Sequence, residues 1–259
     1  MMRINENDSR CLSVVIPLYN EVSTLAQVVA KLLELDQLLE IIIVDDGSTD
    51  GSAQLADQLA RAHANVVFTA LDRNRGKTAA LRAGISLTKG DIVMIQDADL
   101  EYDPSEIPLL IGPILGGHAD VVFGSRFLVR RAARVLYFHH FIANKLLTFV
   151  SNVLTNLNMT DIETGYKAFR GEIIRSMIIV SKGFGFEVEV TAKVAKLRCS
   201  IYEVPISYYG RTYDQGKKIR ARDALSALWF IVRFNLFCSR RASFHDLPQL
   251  ERSRSNLKP

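Results

Sequence analysis

The chain has 259 residues, and its 32 Lys and Arg against 28 Asp and Glu give a formal net charge of +4. A chain of this length builds a large core without disulfides or structural metal, and 48% apolar with 23% charged residues excludes a disordered or fibrous class. A mean hydropathy of +0.10 is slightly apolar for a globular protein.

The first ten residues mix both charges and lack an apolar run, so a signal peptide is not expected. Short β-branched runs then alternate with helical spacing. The expected order is a strand at 12–17, a helix at 22–35, a strand at 40–44, a helix at 52–63, a strand at 65–70, a helix at 78–87, a strand at 91–96, a helix at 107–115 and a strand at 119–123. Near-continuous apolar strands, each followed by a helix, predict an α/β fold with a mostly parallel sheet covered by helices on both faces. Ligands of such sheets bind beyond the C-terminal strand ends, which singles out the loops after Ile16, Val44, Ile95 and Phe123. Residues 132–157 have helical character, studded with Arg134, Lys145 and several Asn. Residues 171–180 and 187–197 also read as helices, and 200–206 as a strand. A basic loop at 208–222 leads to an apolar stretch at 224–237 and a tail expected to be disordered from about residue 247. The stretch 224–237 carries Arg233 and is shorter than the roughly 20 apolar residues a membrane span needs, so no spanning helix is expected.

Cys11, Cys199 and Cys238 are scattered and odd in number, which suggests neither a disulfide framework nor a zinc site but reduced, buried thiols of a cytoplasmic protein. Residues 211–259 hold eleven Lys and Arg against four Asp and Glu, a local charge of +7, so the first 210 residues carry −3. Arg126, Arg130, Arg131 and Arg134 form a second basic group. Such local zones are unlike a nucleic-acid binder and suit an anionic ligand or membrane surface.

Two of the singled-out loops are acidic. Asp97 and Asp99 follow a strand two residues apart, and Glu101 continues the spacing. Alternate residues of an extended segment share a face, and hard oxygen donors suit Mg²⁺ or Mn²⁺. An isolated Asp-x-Asp reads more readily as a polar turn. At the ligand end of the sheet, with a second acidic loop on the same edge, the metal reading is favoured. Asp45 and Asp46 suit ribose hydroxyls or a base edge, because Asp50 or Ser48 can cap the helix from Ser52 and leave them free. Gly76-Lys77-Thr78 looks like the end of a Walker A loop, but Leu71 stands where that motif needs Gly. Neither Gly-x-Gly-x-x-Gly after a strand nor Gly-x-Ser-x-Gly is present, which argues against a dinucleotide cofactor and a hydrolase elbow. His139 and His140 lie about 100° apart on a helix and read as ordinary helix residues.

Val14-Val15-Ile16-Pro17-Leu18-Tyr19-Asn20-Glu21, Val44-Asp45-Asp46-Gly47-Ser48-Thr49-Asp50, Asn74-Arg75-Gly76-Lys77 and Asp97-Ala98-Asp99 occur in that order. Each piece is weak alone; together, over roughly residues 10–240, they resemble the family 2 glycosyltransferases with the GT-A fold. Phe123-Gly124-Ser125-Arg126, Asp161-Ile162-Glu163-Thr164-Gly165-Tyr166-Lys167, Gly183-Phe184-Gly185-Phe186-Glu187 and Val204-Pro205-Ile206 narrow the resemblance to polyprenyl- and dolichyl-phosphate sugar transferases of the dolichol-phosphate mannosyltransferase type.

The resemblance implies a metal-dependent, inverting hexosyltransferase that uses a nucleotide sugar of the GDP-mannose or UDP-glucose type. Pro17, Tyr19, Glu21 and Asp46 would line the nucleoside pocket, with Lys77 and Asp97 nearby. Asp97, Asp99 and Glu101 would hold Mg²⁺ or Mn²⁺ on the diphosphate; Glu101 stands where the mannosyltransferase pattern usually has Gln. Arg126, Arg211, Lys217 and Lys218 are candidates for the acceptor phosphate. Asp161, Asp99 and Glu187 are the catalytic candidates, Asp161 as a base or as a group that orients the acceptor or positions Lys167. The implied division is a catalytic domain at 1–210, a basic acceptor loop with an amphipathic, membrane-facing helix at 211–245, and a tail at 246–259. Residues 135–154 are a second candidate for membrane contact; the alternative for both stretches is packing on the domain or in a homo-oligomer. The expected location is peripheral, at the cytoplasmic membrane face. Two other functions stand beside this one: a family 2 enzyme with a hydroxyl acceptor, for which Asp161 is indispensable, and a non-catalytic sugar-nucleotide-binding protein.

Overall fold

The computed structural model describes residues 10–128, 137–183, 185–210 and 221–248. Arg130, Arg131, Arg134, Arg211, Lys217, Lys218 and the tail from 249 lie outside the described residues. The elements run β1 (Leu12–Leu18), α1 (Leu25–Leu33), β2 (Leu38–Asp45), α2 (Ser52–Ala62), β3 (Val66–Ala70), α3 (Lys77–Leu87), β4 (Ile92–Ile95), α4 (Ile107–Leu115), β5 (Val121–Ser125), α5 (Phe138–Thr155), β6 (Lys167–Arg170), α6 (Gly171–Ser176), α7 (Phe186–Leu197), β7 (Ile201–Pro205) and α8 (Ala221–Leu236). The strands form one sheet in the order β3-β2-β1-β4-β6-β5-β7. Its pairings are parallel except those of β6, which runs antiparallel to β4 and β5.

The central strands are apolar without alternation because both faces are covered. Val14, Ile16 and Leu18 of β1 join the layer of α1, α2 and α4, whereas Val15 joins that of α3, α6, α7 and α8. β4 divides the same way, with Ile92 and Met94 on one side and Val93 and Ile95 on the other. Each such side chain contributes about 1.5–3 kcal/mol on full burial, so the two sheet faces dominate the stability. α8 is part of this core, since Ala227, Ile231 and Phe234 are buried.

Several elements differ from the sequence expectation. β6 has no counterpart in it: four residues are too few to show a period, and the strand begins with the fully buried Lys167. The helix expected at 171–180 stops at Ser176, because Met177 bridges to Phe244 and the Ile178 N–H donates to the Ser243 carbonyl. α1 starts at Leu25 rather than at 22. Cys11 is buried, but Cys199 and Cys238 are only partly covered; all three are free thiols.

The antiparallel sense of β6 has a consequence for the site. A strand running against its neighbours begins where they end. Residues 161–166 therefore lie at the same edge as the loops after β1, β2, β4 and β5.

Candidate active site

A cavity of about 760 Å³ opens at that edge. Its wall includes Pro17, Tyr19 and Glu21, Asp46, Lys77, Asp97, Asp99 and Glu101, Arg126, and Glu187. All four loops singled out from the sequence contribute. So do Glu163 and Gly165 ahead of β6, His140, Phe141 and Asn144 of α5, and Ala224 and Ala227 of α8. His140 does more than fill a helix position: it lines the cavity, and its ring lies 4.4 Å from that of His139.

The Asp45–Asp50 loop is shaped by its own carboxylates. Asp45 Oδ2 accepts the Gly47 and Ser48 N–H groups at 3.0 and 3.1 Å. Asp46 accepts the Arg75 and Gly76 N–H groups at 2.6 and 2.8 Å, which pulls that segment against β2 and sets Lys77 at the start of α3. The two aspartates expected to be free are thus engaged with backbone, though Asp46 still faces the cavity. Gly47 has φ +77°, and a Cβ there would sit 2.7 Å from Asn74 N, so both conformation and space require glycine. Asp50, not Ser48, serves the start of α2: its Oδ1 accepts the Ser52 N–H at 2.9 Å, while Ser48 Oγ accepts the Asn20 N–H.

Lys77 Nζ lies 2.8 Å from Asp97 Oδ1 and 3.1 Å from Glu187 Oε1, which the first turn of α7 presents. Burial alone would lower the Lys77 pKa, but Asp97 and Glu187 outweigh it and hold the ammonium well above its ordinary value. Asp99 Oδ1 accepts the Glu101 N–H at 3.1 Å. Glu101 itself receives the Tyr208 hydroxyl at 2.6 Å. Among the described residues no three Asp, Glu, His or Cys side chains gather as a metal cluster, and Glu101 lines the same cavity wall as Asp97 and Asp99. Two hard carboxylates on one cavity wall still fit Mg²⁺ or Mn²⁺, which complete their shells with water and substrate phosphate oxygens. Asp97 is closely seated: a Cβ at Gly165 would come within 2.7 Å of its Oδ2.

Asp161 is fully buried and forms a two-pronged ion pair with Arg126. Its Oδ2 accepts Nε at 2.7 Å and the Arg126 backbone N–H at 3.2 Å; its Oδ1 accepts Nη2 at 2.8 Å and Asn144 Nδ2 at 3.2 Å. Burial would raise the Asp161 pKa, but Arg126 outweighs it and holds the carboxyl below its ordinary value. Arg126 reaches the cavity wall and Asp161 stands behind it. The guanidinium also lies 5.1 Å from the Tyr208 ring centroid.

Glu163 escaped the sequence reading as a site residue, although it lies inside the Asp161–Lys167 motif. Nothing in a single sequence separates it from a surface acid. In the structure it lines the cavity with a buried Oε1 that has no hydrogen-bond partner. Burial, reinforced by Glu187, pushes its pKa up to about 7. The fully buried Lys167 beside it is pulled down to about 8 by burial, against the pull of Glu187, Asp161 and Glu163.

The cavity wall also includes residues of α5 and α8, whose outer faces are apolar. Phe138, Leu146, Phe149 and Val153 on α5, and Leu225, Trp229 and Leu236 on α8, are exposed, Phe149 at 64% and Trp229 at 58%. No helix among the described residues is long and apolar enough to cross a membrane.

Comparison with known proteins gives a consistent result. The model of the family described as Glycosyl transferase family 2 matches residues 13–177. The chain is 32% identical over 211 residues to the polyprenol monophosphomannose synthase of Mycolicibacterium smegmatis, covering 79% of this chain and 79% of that protein. It is 30% identical over 213 residues to the undecaprenyl-phosphate mannosyltransferase of Micrococcus luteus, covering 78% and 85%. It is 38% identical over 180 residues to the undecaprenyl-phosphate 4-deoxy-4-formamido-L-arabinose transferase of Aeromonas hydrophila subsp. hydrophila, covering 68% of this chain but only 53% of that longer protein. Among solved structures, glucosyl-3-phosphoglycerate synthase from Mycobacterium tuberculosis, crystallised with Mn²⁺, UDP and phosphoglyceric acid, shares the fold with a TM-score of 0.67 at 21% identity, covering 87% of this chain and 78% of that one.

Proposed function

The chain belongs to glycosyl transferase family 2, and on that premise we propose that it transfers a hexose from a nucleotide sugar to a polyprenyl phosphate, with inversion at the anomeric carbon. The observation that carries this reading is a cavity with two unlike kinds of lining. Asp97, Asp99, Lys77 and Arg126 supply charged groups, and α5 and α8, which also contribute to the wall, carry exposed apolar side chains on their outer faces. A nucleoside diphosphate suits the first and a lipid-linked acceptor the second. The relatives named for transfer to undecaprenyl phosphate support the acceptor class.

In this reading Pro17, Tyr19, Glu21 and Asp46 face the nucleoside, of the GDP-mannose or UDP-glucose type. Asp97 and Asp99 hold Mg²⁺ or Mn²⁺, which when bound neutralises the diphosphate as its bond to the sugar breaks. Lys77 supplies a fixed positive charge beside them. The acceptor is a phosphate monoester, already largely a dianion at pH 7 given a second pKa of about 6, so it attacks without a protein base. Asp161 is then a positioning residue that holds Arg126 toward the acceptor phosphate by a two-pronged charge-assisted pair. By sequence, Arg211, Lys217 and Lys218 of the basic loop are further candidates for binding the acceptor phosphate. The apolar faces of α5 and α8 rest on the anionic cytoplasmic leaflet where the acceptor lies.

The test is incubation of the protein with Mn²⁺, undecaprenyl phosphate and a panel of labelled nucleotide sugars. Label appearing in lipid is expected. Transfer to soluble hydroxyl acceptors alone would overturn the reading, and nucleotide binding without any transfer would point to a binding protein.

A further inference from the structure

Glu163 is an acidic group of the cavity to which the proposed reaction gives no task. The structure builds its placement with care. Lys167 Nζ donates to the carbonyls of both Ile162 and Thr164, the residues on either side of it. The Gly165 N–H donates to the Tyr102 hydroxyl at 2.9 Å, and the Tyr166 N–H to Thr164 Oγ1 at 3.2 Å. The loop is therefore fixed on both sides of the carboxyl, and that carboxyl lines the cavity. None of the nearby cations neutralises it through a salt bridge. Lys77 is paired with Asp97 and Glu187, Arg126 with Asp161, and Lys167 is spent on the two carbonyls. Glu163 Oε1 is buried with no hydrogen bond, a costly state, while the residue as a whole is partly exposed and lines the cavity.

The chemistry of the cavity narrows what that carboxyl pairs with. A carboxyl group does not face a phosphate without a cation between them, so neither the donor diphosphate nor the acceptor phosphate suits it. The part of the substrate that lies between the two phosphates is the sugar, uncharged and rich in hydroxyl donors. We infer that Glu163 reads the transferred sugar, with its carboxyl group accepting a hydrogen bond from one sugar hydroxyl. This rests on the proposed transferase reading and assigns the specificity of that same site to one residue.

Binding of GDP-mannose, UDP-glucose, their monodeoxy analogues and the bare nucleotides is measured by calorimetry with Mn²⁺, on the wild-type chain, Glu163→Ala and Glu163→Gln. For the preferred donor, loss of one particular hydroxyl weakens wild-type binding by about tenfold, the worth of one hydrogen bond to a charged partner. Glu163→Ala weakens the intact donor by the same factor and no longer senses that hydroxyl. Glu163→Gln, which keeps a carbonyl acceptor, recovers part of the loss, and bare nucleotide binds all three proteins alike. The inference is overturned if the deoxy analogues rank identically on wild type and Glu163→Ala, or if Glu163→Ala weakens bare nucleotide as much as nucleotide sugar, which marks a structural role. A wild-type chain that binds no nucleotide at all brings down the transferase reading itself, and this inference with it.

Discussion

Arg126 shows how one residue can be placed by another. Its guanidinium, on the cavity wall, is held by the fully buried Asp161, which has no water to fall back on. Removing one partner of a buried pair leaves the other uncompensated and costs about 3–5 kcal/mol. Asp161→Ala is expected to lower the unfolding free energy by that amount, read by urea titration as a lower midpoint with the m-value unchanged. Gly165 makes a steric demand: with Asp97 Oδ2 only 2.7 Å from a would-be Cβ, Gly165→Ala must displace the carboxylate. A loss of metal-dependent transfer of at least about tenfold is expected from a misplacement of this kind; unchanged transfer would show that Asp97 is dispensable. Glu163 makes a prediction about pH. Its folded pKa of about 7 lies above the ordinary glutamate value of 4.5, so the folded state binds the proton more tightly. The stability this gives is full below about pH 4.5 and is lost as pH rises through 7. Glu187 and Asp161 on one side, and Lys167 and Arg126 on the other, set that balance. Glu163→Gln is therefore expected to raise Tm over wild type more at pH 8 than at pH 5; an equal gain at both would deny the shift. The motif residues that line the cavity were legible in the sequence because they stand in loops beyond strand ends and at the start of α3, where ligands of such sheets gather. Glu163 was not, since its meaning is burial.

At the scale of elements, α5 and α8 are the informative pair. Each buries one side: Leu147, Thr148 and Ser151 on α5, and Ala227, Ile231 and Phe234 on α8. Each leaves large apolar side chains outward, and a contiguous exposed apolar patch marks an interaction surface. On the membrane reading, the wild-type chain co-sediments with vesicles containing anionic lipid, and the double substitution Phe149→Glu with Trp229→Glu abolishes this while nucleotide binding is kept. Retained sedimentation by the double variant, or a dimer that the same changes split, would remove the membrane from the account. The apolar character of both stretches was visible in the sequence, but which side each buries was not, because α8 meets α5 and α7 only in three dimensions. β6 was invisible for a related reason. Its four residues gain their partners from β4 and β5, strands distant in the chain, and carry no period of their own.

For the molecule as a whole, a ligand that binds only the folded state stabilises it by mass action. At a hundred times its Kd that is about 2.7 kcal/mol, or about 5 to 10 °C in Tm for a domain of this size. A nucleotide sugar with Mn²⁺ is expected to give such a shift, and Asp97→Asn with Asp99→Asn to remove its Mn²⁺-dependent part. The sequence by itself determined the α/β class, the parallel core strands and the loops at which ligands gather. Those follow from local rules: apolar runs buried on both faces, helical spacing, and polar residues at strand ends. It also carried the family, through motifs whose order survives without coordinates. Only the tertiary structure decided that Asp161 stands behind Arg126, that Asp46 is tied to the Arg75–Gly76 backbone, and that Glu163 enters the cavity. For Asp161 and Glu163 the reason is the reversed strand β6, which brings residues 161–166 to the edge where its neighbours end. Strand direction is set by long-range pairing and burial, and no stretch of neighbouring residues encodes it.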